Sequence, residues 1–125
     1  MAVELNHTIV AAPDKWAGAR FLSTVLGLPE PTAFGPFAVV MLANGVSLDY
    51  LQSAGVTPQH YAFLVADDEF DAVATRLRER GLPTWADPGH RRPGENDHDG
   101  GRGLYFDSPE GHNLEIITRP YGSGG

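Results

Sequence analysis

Two histidines and a glutamate stand out for the chemistry they could do together. His7 lies in Leu5-Asn6-His7-Thr8-Ile9-Val10, His60 in His60-Tyr61-Ala62-Phe63-Leu64-Val65, and Glu115 in Asn113-Leu114-Glu115-Ile116-Ile117. Each run reads as a strand, apolar residues alternating around the polar one. Two imidazoles and one carboxylate on one side of a metal leave its opposite side open to substrate, oxygen or water. Any one of these histidines alone is explained as well by local hydrogen bonds; the internal repeat around them favours ligation.

The chain contains itself twice. His7-Thr8-Ile9-Val10-Ala11-Ala12, a helical stretch and Gly27-Leu28-Pro29 match His60-Tyr61-Ala62-Phe63-Leu64-Val65-Ala66, a second helical stretch and Gly81-Leu82-Pro83. His7 precedes Gly27 by 20 residues and His60 precedes Gly81 by 21. Each unit later has an acid between apolar neighbours, Leu48-Asp49-Tyr50 in the first and Leu114-Glu115-Ile116 in the second. Two histidine strands and two acid strands related by pseudo-symmetry can converge on one central site.

The elements that must position these residues follow from periodicity. Leu5, His7 and Ile9 alternate against Asn6, Thr8 and Val10, which places His7 on the Leu5–Ile9 face. A helix is expected from Asp14 to Leu26 with an apolar stripe of Trp16, Ala19, Leu22 and Leu26, Trp16 in the core and Gly27 as its left-handed cap. Residues 36–43 and 46–52 read as a hairpin across Asn44-Gly45. Residues 52–59 link the units. A second helix is expected from Asp68 to Arg80, with Phe70, Val73, Ala74 and Leu77 inward and Gly81 as its stop. Residues 87–102 are polar and rich in proline and glycine, either a floppy surface loop or a lid. Strands at 103–107 and 112–119 follow, joined by Ser108-Pro109-Glu110-Gly111, and the tail from Gly122 is expected to be disordered. The antiparallel turns argue against a doubly wound parallel sheet and for α+β architecture, two packed βαββ(β) modules.

At 125 residues the chain is expected to form a single domain over 1–125, modules at about 3–52 and 59–119, long enough to bury a core without staples. There is no cysteine, so any metal is held by nitrogen and oxygen donors. The longest apolar run, Phe37 to Ala43, is too short to span a bilayer, and the N-terminus lacks the pattern of a signal peptide, so the cytoplasm is the expected compartment. A net charge of −7 argues against nucleic acid or anionic membrane as partner.

These features resemble the vicinal oxygen chelate superfamily of glyoxalase I, fosfomycin-resistance transferases, bleomycin-resistance proteins and extradiol dioxygenases. The resemblance covers nearly the whole chain and is carried by Leu5-Asn6-His7-Thr8-Ile9, Gln59-His60-Tyr61, and Tyr105-Phe106-Asp107-Ser108-Pro109-Glu110-Gly111-His112-Asn113-Leu114-Glu115. It implies paired βαβββ modules forming a cupped mixed sheet around one divalent metal, with His7, His60 and Glu115 on the ligand positions. Glyoxalase I-like members carry a fourth ligand where this chain has Asp49; aspartate is one methylene shorter than the glutamate expected there, so Asp49 is either a fourth ligand or, the favoured reading, a substrate-binding residue beside a three-residue ligand set. The stretch from Asn96-Asp97-His98 through Leu104-Tyr105 and Pro109-Glu110-Gly111 to Glu115 is also similar to the extradiol dioxygenase signature. Ser108 departs from that signature, and typical members of that branch are about twice this length.

Among the remaining residues, His98 is either a catalytic acid/base or a solvated loop histidine, since a histidine near pKa 6.5 can move protons at neutral pH. Tyr105 either donates to a metal-bound oxygen or packs. Arg102 and Arg119 are possible anchors for an anionic substrate; Arg119 alternates onto the face of Glu115. His112 is expected to bond backbone in its turn, and His90 to lie on the surface. The function expected is a metal-dependent enzyme, using Fe, Mn, Zn or Ni, on a small molecule that chelates the metal through adjacent oxygens, with dioxygenase-like or glyoxalase-like chemistry. The alternatives are a drug-sequestering protein of the bleomycin-resistance kind and a fosfomycin-type transferase. Small members of the resembled family cover their concave sheet by pairing chains, so a homodimer is expected.

Overall fold

The computed structural model describes residues 2–124 and divides the chain into two compact units, Met1–Thr57 and Pro58–Gly125. The first contains β1 (His7–Ala12), α1 (Lys15–Leu26), β2 (Thr32–Phe34), β3 (Phe37–Met41) and β4 (Ser47–Gln52) in a sheet ordered β1-β4-β3-β2. The second contains β5 (His60–Leu64), α2 (Asp67–Glu79), a single 3-10 turn (His98–Gly100), β6 (Gly103–Asp107) and β7 (Asn113–Ile117) in a sheet ordered β5-β7-β6. The class is α+β, with one mixed sheet in each unit.

Local chemistry explains the boundaries. The Asp14 carboxylate accepts from the Ala17 N–H at 3.1 Å to start α1, and Gly27, at φ 69°, ends it in the left-handed region. Glu69 reaches back to the Ala66 N–H at 2.9 Å at the start of α2. Gly45, at φ 85°, makes the turn between β3 and β4.

The helical stripe of unit 1 differs from expectation. Ala19, Leu22 and Val25 are fully buried, whereas Trp16 and Leu26 are only half-buried. Gly18 is the cause: a Cβ there would meet the Tyr50 ring at 3.1 Å, so the helix sits close on the sheet. A tryptophan does not fit under so close an approach; Trp16 lies at the rim, with the Arg20 guanidinium 5.5 Å from its ring. In unit 2 the inward residues of α2 are Phe70, Val73 and Leu77, buried as are Phe63, Leu104, Phe106, Leu114 and Ile116 of its strands. Each such side chain contributes about 1.5–3 kcal/mol by leaving water.

The internal repeat is visible in register. Parallel pairing of β1 with β4 sets His7 opposite Ser47 and Ile9 opposite Asp49. Parallel pairing of β5 with β7 sets His60 opposite Asn113 and Ala62 opposite Glu115. Histidine and acid therefore hold the same register positions in both units. β2 also has a counterpart: Trp85 bridges antiparallel to Tyr105 on the outer side of β6.

The polar stretch after α2 is bonded down. Asp87 accepts from the Arg91 and Arg92 amides at 2.8–3.1 Å, Gly94 N–H donates to the Thr84 carbonyl, and Asn96 and Gly103 exchange both backbone bonds. The tail is also engaged, Gly122 and Gly124 donating to the Asp99 carboxylate at 3.0 and 3.1 Å, while Gly125 lies outside the described residues.

Candidate metal centre

Residues opposite one another in a sheet share a face, as do residues two apart along a strand. Tyr105 is opposite Glu115, and Glu115 follows Asn113, the partner of His60, by two. His60, Glu115 and Tyr105 thus share one face of the unit 2 sheet, the other being that of Phe63, Leu114 and Ile116. The His60 side chain is half exposed, whereas Glu115 is 4% exposed.

His60 Nε2 lies 3.1 Å from Glu115 Oε1, and His60 Nδ1 lies 2.8 Å from the Asn113 carbonyl. A carbonyl only accepts, so Nδ1 carries the hydrogen and Nε2 of the neutral ring presents a lone pair to the carboxylate. Two lone pairs at that distance are stable only with a proton or a cation between them. Donors each about 2.1 Å from one ion and at right angles to each other lie about 3 Å apart. The pair therefore fits a divalent ion, and a backbone carbonyl behind a ligating histidine is the usual orienting partner.

The Tyr105 hydroxyl is hydrogen-bonded to Glu115, and its ring stacks on His60 with centroids 5.9 Å apart. Burial, and then the negative charge of Glu115, push the phenol from its ordinary 10.0 up to about 12. Tyr105 is a proton-bearing donor at neutral pH.

His98 is exposed and lines a cavity of about 400 Å³ together with Glu115, Asn96, Arg102 and Arg119. Four residues singled out in the sequence thus meet in one place. The two arginines differ. Arg102 bonds Asp71 at 2.8 Å and Glu95 at 3.2 Å and lies 4.3 Å over the Phe70 ring, and the first of those bonds is the main reason its protonated form is strengthened further. Arg119 makes no ion pair among the described residues, which leaves its charge for a ligand.

In unit 1 the His7 ring is exposed, with Nδ1 2.6 Å from Asn6 Oδ1. Asp49 is buried and accepts from the Ser47 hydroxyl at 2.8 Å. Both line a concavity of about 430 Å³ with Phe34, Phe37 and Met41. Among the described residues no three histidine or acidic side chains are gathered as a metal cage; His60 and Glu115 are the donors brought into contact.

His112 is buried and accepts the Gln59 N–H at Nδ1, the backbone role expected of it. His90, expected on the surface, is half-buried: it stacks on Trp85 and bonds Asn113. Period-two alternation places Asn113 and Asp107 on the face of Glu115 and Tyr105. The approach of His90 from a distant loop had no such signal.

The chain is 65% identical to the oxidase ChaP-H2 over the full length of both chains, and the two structures agree with a TM-score of 0.96. It is 28% identical over 123 residues to the glutathione transferase FosA of Serratia marcescens, covering 93% of this chain and 81% of that one. It is 32% identical over 99 residues to the metallothiol transferase FosB of Shouchella clausii (strain KSM-K16), covering 78% of this chain and 64% of that one. No protein-family model matches.

Proposed function

The chain belongs to the vicinal oxygen chelate superfamily of glyoxalases, bleomycin-resistance proteins and dioxygenases, and from that we propose a metal-dependent enzyme acting on a small molecule through adjacent oxygens, with oxidase or dioxygenase chemistry. The observation that carries the reading is the His60–Glu115 pair, 3.1 Å apart, with Tyr105 on the carboxylate and the Asn113 carbonyl behind the imidazole. The full-length likeness to an oxidase supports the choice of chemistry.

His60 and Glu115 would hold the ion, with His7 as third donor on the strength of its matching register position. An ion of the Fe, Mn, Zn or Ni kind would supply Lewis acidity toward the substrate oxygens. Tyr105 holds its proton on the hydroxyl and fixes the carboxylate. His98 is placed to move a proton at the cavity, and Arg119 to attract an anionic group. Arg102, balanced by two carboxylates, shapes the cavity wall. Asp49 faces substrate from the unit 1 concavity.

The working protein would be a homodimer in the cytoplasm. Among the described residues no helix is long and apolar enough to cross a membrane. A thiol-transfer reading is favoured instead by the likeness to FosA and FosB. A drug-sequestering role is disfavoured, since such members lack the full donor set.

Metal analysis of the purified protein tests the proposal. About one divalent ion per complete site should copurify, and His60→Ala should lose it, since the remaining donors chelate poorly. Protein that carries no metal, and takes up none of Fe, Mn, Zn or Ni, would overturn the reading. Oxygen consumption with catechols, set against thiol addition to an epoxide, separates the two chemistries.

A further inference from the structure

His90 lies on the loop between α2 and β6, outside the donor set. Its backbone is left-handed, at φ 56°, where residues other than glycine seldom settle. Its ring lies flat on Trp85, centroids 5.4 Å apart and planes within 6°. From there Nε2 reaches Asn113 Oδ1 at 3.0 Å, and Nδ1 faces Asp107 Oδ2 at 3.5 Å. The other end of the same carboxamide donates to the Pro88 carbonyl at 3.2 Å.

Asn113 stands opposite His60, and its backbone carbonyl takes the His60 Nδ1 hydrogen. A carboxamide free to turn beside His60 is a competitor. Its nitrogen can donate to Nδ1, and its oxygen can accept from an Nε2–H; either holds the opposite tautomer, with the hydrogen on the nitrogen that faces Glu115. The loop occupies both ends.

We propose that His90 is a positioning residue: by parking the Asn113 carboxamide against the loop, it keeps His60 in the Nδ1–H tautomer with Nε2 turned to Glu115. The inference rests on the proposed function only in taking His60 as a donor.

Nitrogen NMR of histidine-labelled, metal-free protein at pH 8 reads the His60 tautomer directly, and Mn(II) titration reads affinity. His90→Phe keeps a ring on Trp85 and removes the donor; His90→Leu serves if phenylalanine is not tolerated. Either should mix the His60 tautomers and weaken Mn(II) binding about tenfold, the low end of what losing an outer partner costs. Adding Asn113→Ala removes the competitor and should return both readouts toward wild type, a rescue that damage to the loop alone would not give. An unchanged His60 tautomer in the His90 variants, or a double variant no better than the single, would overturn the proposal. A tautomer shift in a protein that binds no Mn(II) would uphold the role of His90 and remove the metal reading alone.

Discussion

Glu115 is nearly inaccessible to water, and a carboxylate so placed needs partners. It has two, the Tyr105 hydroxyl and His60. Tyr105→Phe and His98→Gln should keep fold and metal while slowing turnover roughly 10²- to 10⁴-fold, the range of a positioned proton donor or acceptor. Rates at the wild-type level would return both residues to structural roles. Tyr105 also makes a prediction about pH. Its folded value of about 12 lies above the ordinary 10.0, so the fold favours the protonated phenol. That stabilisation is complete below pH 10 and is lost as the pH climbs toward 12. Urea unfolding across this window should show a shallower decline for Tyr105→Phe than for wild type. Tyr61, also raised by burial, acts equally in both. At this scale the shared face of His60, Glu115 and Tyr105 was legible in the sequence because strand alternation is a local rule. That Arg102 is tied to Asp71 and Glu95 was not, because Asp71 sits on a helix 31 residues away.

At the scale of elements, amphipathic period and turn chemistry located both helices and the β3–β4 hairpin to within a residue or so. The short β2 and the Trp85 bridge were not resolved, because three residues and one residue carry no measurable period. The stretch between α2 and β6 read as either floppy or a lid, since it has almost nothing apolar to bury. Its order comes from polar anchors, and Asp87 is the first, accepting from the Arg91 and Arg92 amides. Those bonds, led by the Arg92 amide, hold the Asp87 carboxyl below its ordinary value. Asp87→Ala should therefore expose the segment, and trypsin should cut after Arg91 several-fold faster than in wild type, Pro93 shielding Arg92. Equal cleavage rates by mass spectrometry would show that Asp87 does not hold the loop.

The whole molecule presents apolar side chains to solvent in both units: Ile9 (51% exposed), Phe34 (72%) and Met41 (45%) in the first, Leu64 (61%) in the second. Ile9 shares its face with His7, as Leu64 shares its face with His60, so these residues stand beside the donors rather than at random. Exposed apolar surface on the donor face of each unit points to an interaction site. A second copy is the expected partner, with His7 from one chain completing the His60 and Glu115 of the other. Sedimentation at micromolar concentration should then give a dimer. His7→Ala and Glu115→Ala chains, each inactive alone, should recover activity after subunit exchange. One intact site in each mixed dimer, and mixed dimers as half the population, predict about a quarter of the wild-type rate. A monomer would refute the dimer. A dimer with no recovery would mean that all three donors come from a single chain.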